Sequence, residues 1–225
     1  MSALDSGDRA AFLGRLRRRL ATGVPVNPAH PLPGPLVGGV PFVVSSQLDA
    51  HDLVGSFIAN ATAIRVLVHD VAGDTVPDEV VADVVARHAV GRAVLSREPE
   101  ALAVGRQLEA LGVTTSPVST AASAAADLGV TSAVAAIATT GTLVQHSGVA
   151  GGRTASLLPT VHLCVLPASR IVGRSADVLR SLGQTELPSN VVLITGPSRS
   201  ADIEQIIALG VHGPVAVEVV VLRGC

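Results

Sequence analysis

Short apolar runs alternate along this chain with longer stretches whose apolar positions recur every three or four residues. From Asp5 to Ala21 the spacing puts Phe12, Leu13, Leu16 and Leu20 on one face of a helix, with Asp5 or Ser6 as its cap. Arg15, Arg17, Arg18 and Arg19 give that helix a basic, solvated back. Residues 23–39 hold Pro and Gly too densely for regular structure and read as an extended arm. Helix and strand then alternate. A helix over Gln47–Asn60 precedes a strand Ile64–Val68, a helix Asp78–Val90 precedes a strand Ala93–Ser96, and a helix Pro99–Leu111 precedes VTTSPV. This is βαβ spacing. With strands apolar on both faces, it predicts an α/β fold in which a mostly parallel sheet is flanked by helices.

Beyond a further helix at Thr120–Asp127 the texture changes, because AVAAIATTGTLVQHS reads as two strands bent at Thr139-Thr140-Gly141. A strand from Val161, a helix over Ser175–Leu182, the strand NVVLIT, a helix over Arg199–Ala208 and a last strand VAVEVVVL complete a sheet of about seven or eight strands. The 225 residues therefore divide into an N-terminal helix with its Pro/Gly-rich arm, residues 1–40, and one α/β domain, residues 41–225.

Composition narrows the functions this fold can carry. The hydrophobic fraction of 48% comes from aliphatic side chains, with three Phe and no Trp or Tyr. With a net charge of -2 and scattered arginines, neither stacking platforms nor a basic track for nucleic acid is present. All 16 basic residues are Arg. Without Lys there is no Schiff base and no Walker-type phosphate contact. The two cysteines, Cys164 and Cys225, are too few for an iron-sulfur cluster or a cysteine-rich zinc site, so no metal or cofactor is expected in this chain. No apolar run reaches roughly 18 residues and no signal-peptide pattern opens the chain, which predicts a cytoplasmic protein without membrane insertion.

Two stretches carry candidate chemistry. In VVLITGPSRSADIEQIIAL, Gly196, Pro197 and Ser198 stand between a buried strand and an expected helix, where free N–H groups would attract a carboxylate or phosphate. Asp202 falls in the first turn of that helix, and His212 is held between its end and the turn at Gly213-Pro214. In TTGTLVQHSGVAGGRTASLLPTVHLCVLP, the tight turn of Thr140, Gly141 and Thr142 is followed by Arg153, a bidentate grip for an anion, and by Ser156 and His162. His162 and Cys164 share one face of a strand, but apolar neighbours predict a buried, inert thiol.

The segments IATTGTLV, GGRTASLLPTVHLCVLPASRIV and ITGPSRSADIEQIIALGVHGP resemble, in order and spacing, the LUD domain of the lactate utilisation protein C family, also described as YkgG-like. The resemblance runs from about Asn60 to Leu222 and implies a NagB/RpiA/CoA-transferase-like fold with ligand sites at strand ends. It implies a non-redox subunit of a bacterial system that oxidises L-lactate to pyruvate, with iron-sulfur clusters carried by partner proteins from the same operon. It assigns no catalytic residue. Two other readings stand beside it: a stand-alone isomerase or acyl/CoA transferase acting on a phosphorylated or carboxylate metabolite, and a ligand-sensing module. Against the isomerase or transferase reading, Glu186 is a loop residue without a Gly-rich nucleophile context, and no Lys serves phosphate or proton transfer.

Overall fold

Continuous apolar strands dominate the second half of the chain, and a computed structural model shows why. It describes residues 51–182, 188–201, 207–209 and 213–225. The N-terminal helix and arm expected over residues 1–40 lie outside the described residues. Six strands form a fully parallel sheet: β1 Leu67–Val71, β2 Arg92–Leu95, β3 Thr114–Pro117, β4 Leu128–Ser132, β7 Val161–Pro167 and β12 Ala216–Leu222. Their order is β1-β12-β7-β4-β2-β3.

β7 is buried along its whole length and β12 in all but its first residue, so each reads as an apolar run interrupted by a single polar residue, His162 or Glu218, rather than as an alternating one. One face presents Leu163, Val165, Val220 and Leu222 to helices α2, Asp78–His88, and α3, Pro99–Ala110, which contribute Val81, Val84, Val104 and Leu108. The opposite face presents Cys164, Leu166, Val219 and Val221 to helix α1, Leu53–Ala63, through Phe57 and Ala61. The same face receives a smaller four-stranded sheet, ordered β8-β5-β6-β9, made of β5 Ala135–Ile137, β6 Thr142–His146, β8 Ile171–Val172 and β9 Val191–Ile194.

Local chemistry sets the helix limits. Asp52 caps α1 by accepting from the Gly55 N–H at 2.7 Å. α2 opens with Asp78 and Glu79 and closes with Arg87 and His88, each charge at the end where the helix dipole favours it. α3 starts on Pro99, whose fixed φ and missing N–H suit the first helical position. Three short helices, α4 Thr120–Ala125, α5 Ser147–Ala150 and α6 Thr154–Leu157, and then α7 Ser175–Leu182, complete the connections.

The structure departs from the sequence reading in four places. The described strands form three sheets rather than one. LGVTS is a central strand, β4, and the first predicted strand begins three residues later than expected, after Arg65 turns the chain with a left-handed φ of 67°. Where a helix is expected over Arg199–Ala208, the described residues are strand: β10 Arg199–Ala201 pairs antiparallel with β11 Ile207–Leu209. A ten-residue helix is marginal by itself, and Ile203, Ile206 and Ile207 are β-branched residues that favour extended backbone.

Candidate functional site

The turn of Thr140, Gly141 and Thr142 joins β5 to β6 as the expected hairpin. Gly141 has φ 62°, and a Cβ there would lie 2.3 Å from the Ala61 nitrogen, so the turn sits directly on the α1 backbone. Asn60 of α1 secures it by donating to the Ala138 carbonyl at 2.7 Å. Gly196, with φ 87°, approaches the same helix end, where a Cβ would stand 2.8 Å from the Ile64 carbonyl oxygen. The two motif stretches, far apart in sequence, therefore meet. Hydroxyls link them, Thr140 to Thr142 at 2.7 Å and Thr142 to Thr195 at 2.9 Å.

Because the described residues directly after Ser198 are strand, they do not supply the helix N-terminus expected there. The Ser198 N–H donates instead to the Pro214 carbonyl at 2.9 Å, and Gly213 packs against the Ser198 side chain. Asp202 and His212 lie outside the described residues. Arg153 precedes α6 with an exposed side chain, and the Ser156 hydroxyl donates back to the Arg153 carbonyl at 3.1 Å. Among the described residues, neither side chain bonds to the threonine string.

His162 faces the small sheet, not a helix layer. Gln145 of β6 donates to the Thr131 hydroxyl, which is 2.8 Å from His162 Nε2. Gln145 Nε2 also lies 3.3 Å from His162 Nε2, while the buried Nδ1 has no hydrogen-bond partner among the described residues. Complete burial pushes the imidazole down to about 4, so it is neutral and no general acid at neutral pH. Cys164, on the same face, is pushed up to about 12 by burial and is the inert thiol expected.

The densest charge constellation escaped sequence reasoning. Glu218 in β12 is almost fully buried and carries four bonds: from His69 Nε2 at 2.7 Å, from His88 Nε2 at 2.6 Å, and from Arg87 Nη1 to both oxygens at 2.9 Å. Burial alone would raise this carboxyl. The donors of His69, His88 and Arg87 outweigh it and hold the group down at about 2. An ionised carboxylate only accepts, so both histidines present an N–H to it. The signal available in the sequence was a single carboxylate inside AVEVVVL. Its partners lie 130 or more residues away.

A cleft of about 240 Å³ opens beside this cluster, bounded by Arg65, Arg87, His88 and Pro197 and by the aliphatic Leu67 and Val215. Pro197 brings the motif turn to its wall. A larger cleft of about 660 Å³ lies between α3 and the loop at Asp74–Val76, with mainly apolar walls, and none of the candidate residues lines it. Among the described residues there is no group of His, Cys, Asp and Glu arranged for a metal ion, and no helix long and apolar enough to cross a membrane.

A helix-flanked parallel sheet, joined to a hairpin sheet by glycine turns seated on one helix end, with a histidine- and arginine-bound carboxylate beside them, defines an α/β domain that carries a small cleft with a basic rim and a mainly aliphatic wall. The model of the LUD domain matches residues 38–222, and the chain belongs to the LUD-domain family. The protein named lactate utilization protein C from Halalkalibacterium halodurans is 44% identical over 95 residues, covering 40% of this chain and 41% of that protein. Its namesake from Bacillus subtilis is 42% identical over 95 residues, covering 40% of each. The alignments thus span well under half of these curated relatives. A crystal structure of a DUF162 family protein from Deinococcus radiodurans superposes with a TM-score of 0.57 at 20% identity, over 78% of this chain and 99% of that one, and confirms the fold.

Proposed function

We propose that this chain is a non-redox LUD-domain component of a bacterial lactate-utilisation system, acting with iron-sulfur partner proteins in the oxidation of L-lactate to pyruvate. The observation that carries the reading is the series of relatives named lactate utilization protein C, joined to a family match across most of the chain. The cysteine count supports the division of labour, since two thiols cannot ligate a four-cysteine cluster. Cys164 is moreover buried and held as a thiol. In this reading the chain contributes a site for a small anion or for docking a partner, and electrons travel through the partners.

Affinity capture of the tagged chain from lactate-grown cells tests this. Recovery of iron-sulfur proteins, with loss of growth on lactate when the gene is deleted, is the expected result. A deletion strain that grows on lactate at the wild-type rate, or a purified chain that turns over a metabolite alone, refutes it.

A further inference from the structure

The cleft beside Glu218 brings together basic groups from two parts of the chain: Arg65 at the α1–β1 corner, and Arg87 and His88 at the end of α2. Glu218 balances one charge, and both its oxygens are already bonded. Arg87 spends only Nη1 on that carboxylate, is 39% exposed, and leaves Nε and Nη2 without a partner among the described residues. Arg65 is exposed and, among the described residues, its guanidinium has no partner at all. It also holds a left-handed φ of 67°, a conformation that costs a non-glycine residue about 1–2 kcal/mol. The remaining wall is aliphatic, from Leu67, Pro197, Val215 and Val217.

A cationic rim over an aliphatic wall selects an anion with an apolar part. Inorganic phosphate has no apolar surface to place there, whereas a short-chain carboxylic acid presents a carboxylate to the guanidiniums and a methyl group to the wall. The volume of about 240 Å³ suits a compact molecule. We infer that this cleft is a binding site for a short-chain carboxylate, gripped by Arg65 and Arg87, with Glu218 as a positioning residue that fixes Arg87 and His88. The location follows from geometry; the choice of a three-carbon hydroxy or keto acid rests on the lactate-utilisation reading.

The test is calorimetric titration of the full chain with L-lactate, pyruvate and inorganic phosphate, repeated on Arg65→Gly. Glycine accepts the left-handed φ, so this variant keeps the fold and melts at or above the wild-type temperature. Expected are saturable binding of L-lactate or pyruvate, weakening of about 10-fold or more in Arg65→Gly, and weaker binding of phosphate than of either carboxylate. Carboxylate affinity unchanged in Arg65→Gly, phosphate preferred over both carboxylates, or no saturable binding of the three probes each overturns the assignment. Growth separates the two claims. A gene deletion that leaves lactate growth intact defeats the functional reading whatever binds, whereas Arg65→Gly restoring full growth to a dependent deletion strain defeats only the site.

Discussion

Replacing Glu218 by Gln keeps the shape of the side chain and removes the charge that three donors converge on. In the native protein the carboxyl is held at about 2 against an ordinary 4.5. At 1.36 kcal/mol for each tenfold change, that difference contributes roughly 3 kcal/mol to folding at neutral pH. Water reaches part of Arg87, so the realised cost of the variant is set at about 2–3 kcal/mol. For a domain of this size that lowers the melting temperature by about 4–10 °C. A depressed carboxyl stabilises above its unfolded value and loses that contribution as pH falls through its folded one. The gap between wild type and E218Q should therefore be full above about pH 5, less than half near pH 3 and almost closed near pH 2. Calorimetric or circular-dichroism melts of both proteins across that range measure it, and taking their difference cancels the groups that do not touch Glu218. A gap below about 1 °C at pH 7, or one that is the same at pH 3 as at pH 7, would refute the account of this cluster.

Three further outcomes are expected. Gly141→Ala drives a Cβ to 2.3 Å from the Ala61 nitrogen at a φ of 62° and should cost about 2–4 kcal/mol in denaturant unfolding; Gly112→Ala, at φ 80° but with nothing within 4 Å, should cost about 1 kcal/mol. Equal losses at the two glycines would show that the hairpin turn is not seated on α1. Thiol titration at pH 8 should find one reactive cysteine in the native chain, the exposed Cys225, and two after unfolding, because Cys164 is buried and pushed up to about 12. For His162, a histidine held near 4 instead of 6.5 disfavours the folded state as pH falls through that window, so His162→Gln should flatten the loss of stability between pH 6.5 and pH 4, as read from urea midpoints.

Legibility in the sequence followed how local the determining interactions are. α2 and α3 were readable to within two residues because apolar spacing, the charges at the ends of α2 and Pro99 all act within a few residues. β7 and β12 were readable because burial on both faces leaves an apolar signature broken by only one polar residue in each. The hairpin was readable because its turn needs a left-handed residue and Gly141 supplies one. β4 was not. LGVTS is a weak strand signal because a Cβ at Gly129 would strike the Ala155 carbonyl at 1.7 Å, so close packing of α6 replaced an apolar side chain with none. The segment Arg199–Ala208 carries helix-compatible spacing and β-branched residues together, and strand pairing across the segment decided between them.

The same distinction separates the motif from the chemistry beside it. Thr140, Gly141, Thr142, Thr195 and Gly196 are distinctive in sequence, yet their contacts are with each other and with the end of α1. Those contacts fix where Pro197 stands, and Pro197 forms one wall of the cleft whose charges come from Arg65, Arg87, His88 and Glu218. No local pattern in the sequence joins those four. Glu218 is tolerable in a buried strand only because α2 ends with Arg87 and His88 against it, and β1 supplies His69 from the next strand. A variant that loosens the turn should therefore disturb the cleft through Pro197 without touching a charged group. A variant of the charged groups should alter anion binding or acid stability while leaving the threonine string in place. If Gly141→Ala abolished carboxylate binding at a temperature where the chain remains folded, the turn would be shown to act on the site by positioning it.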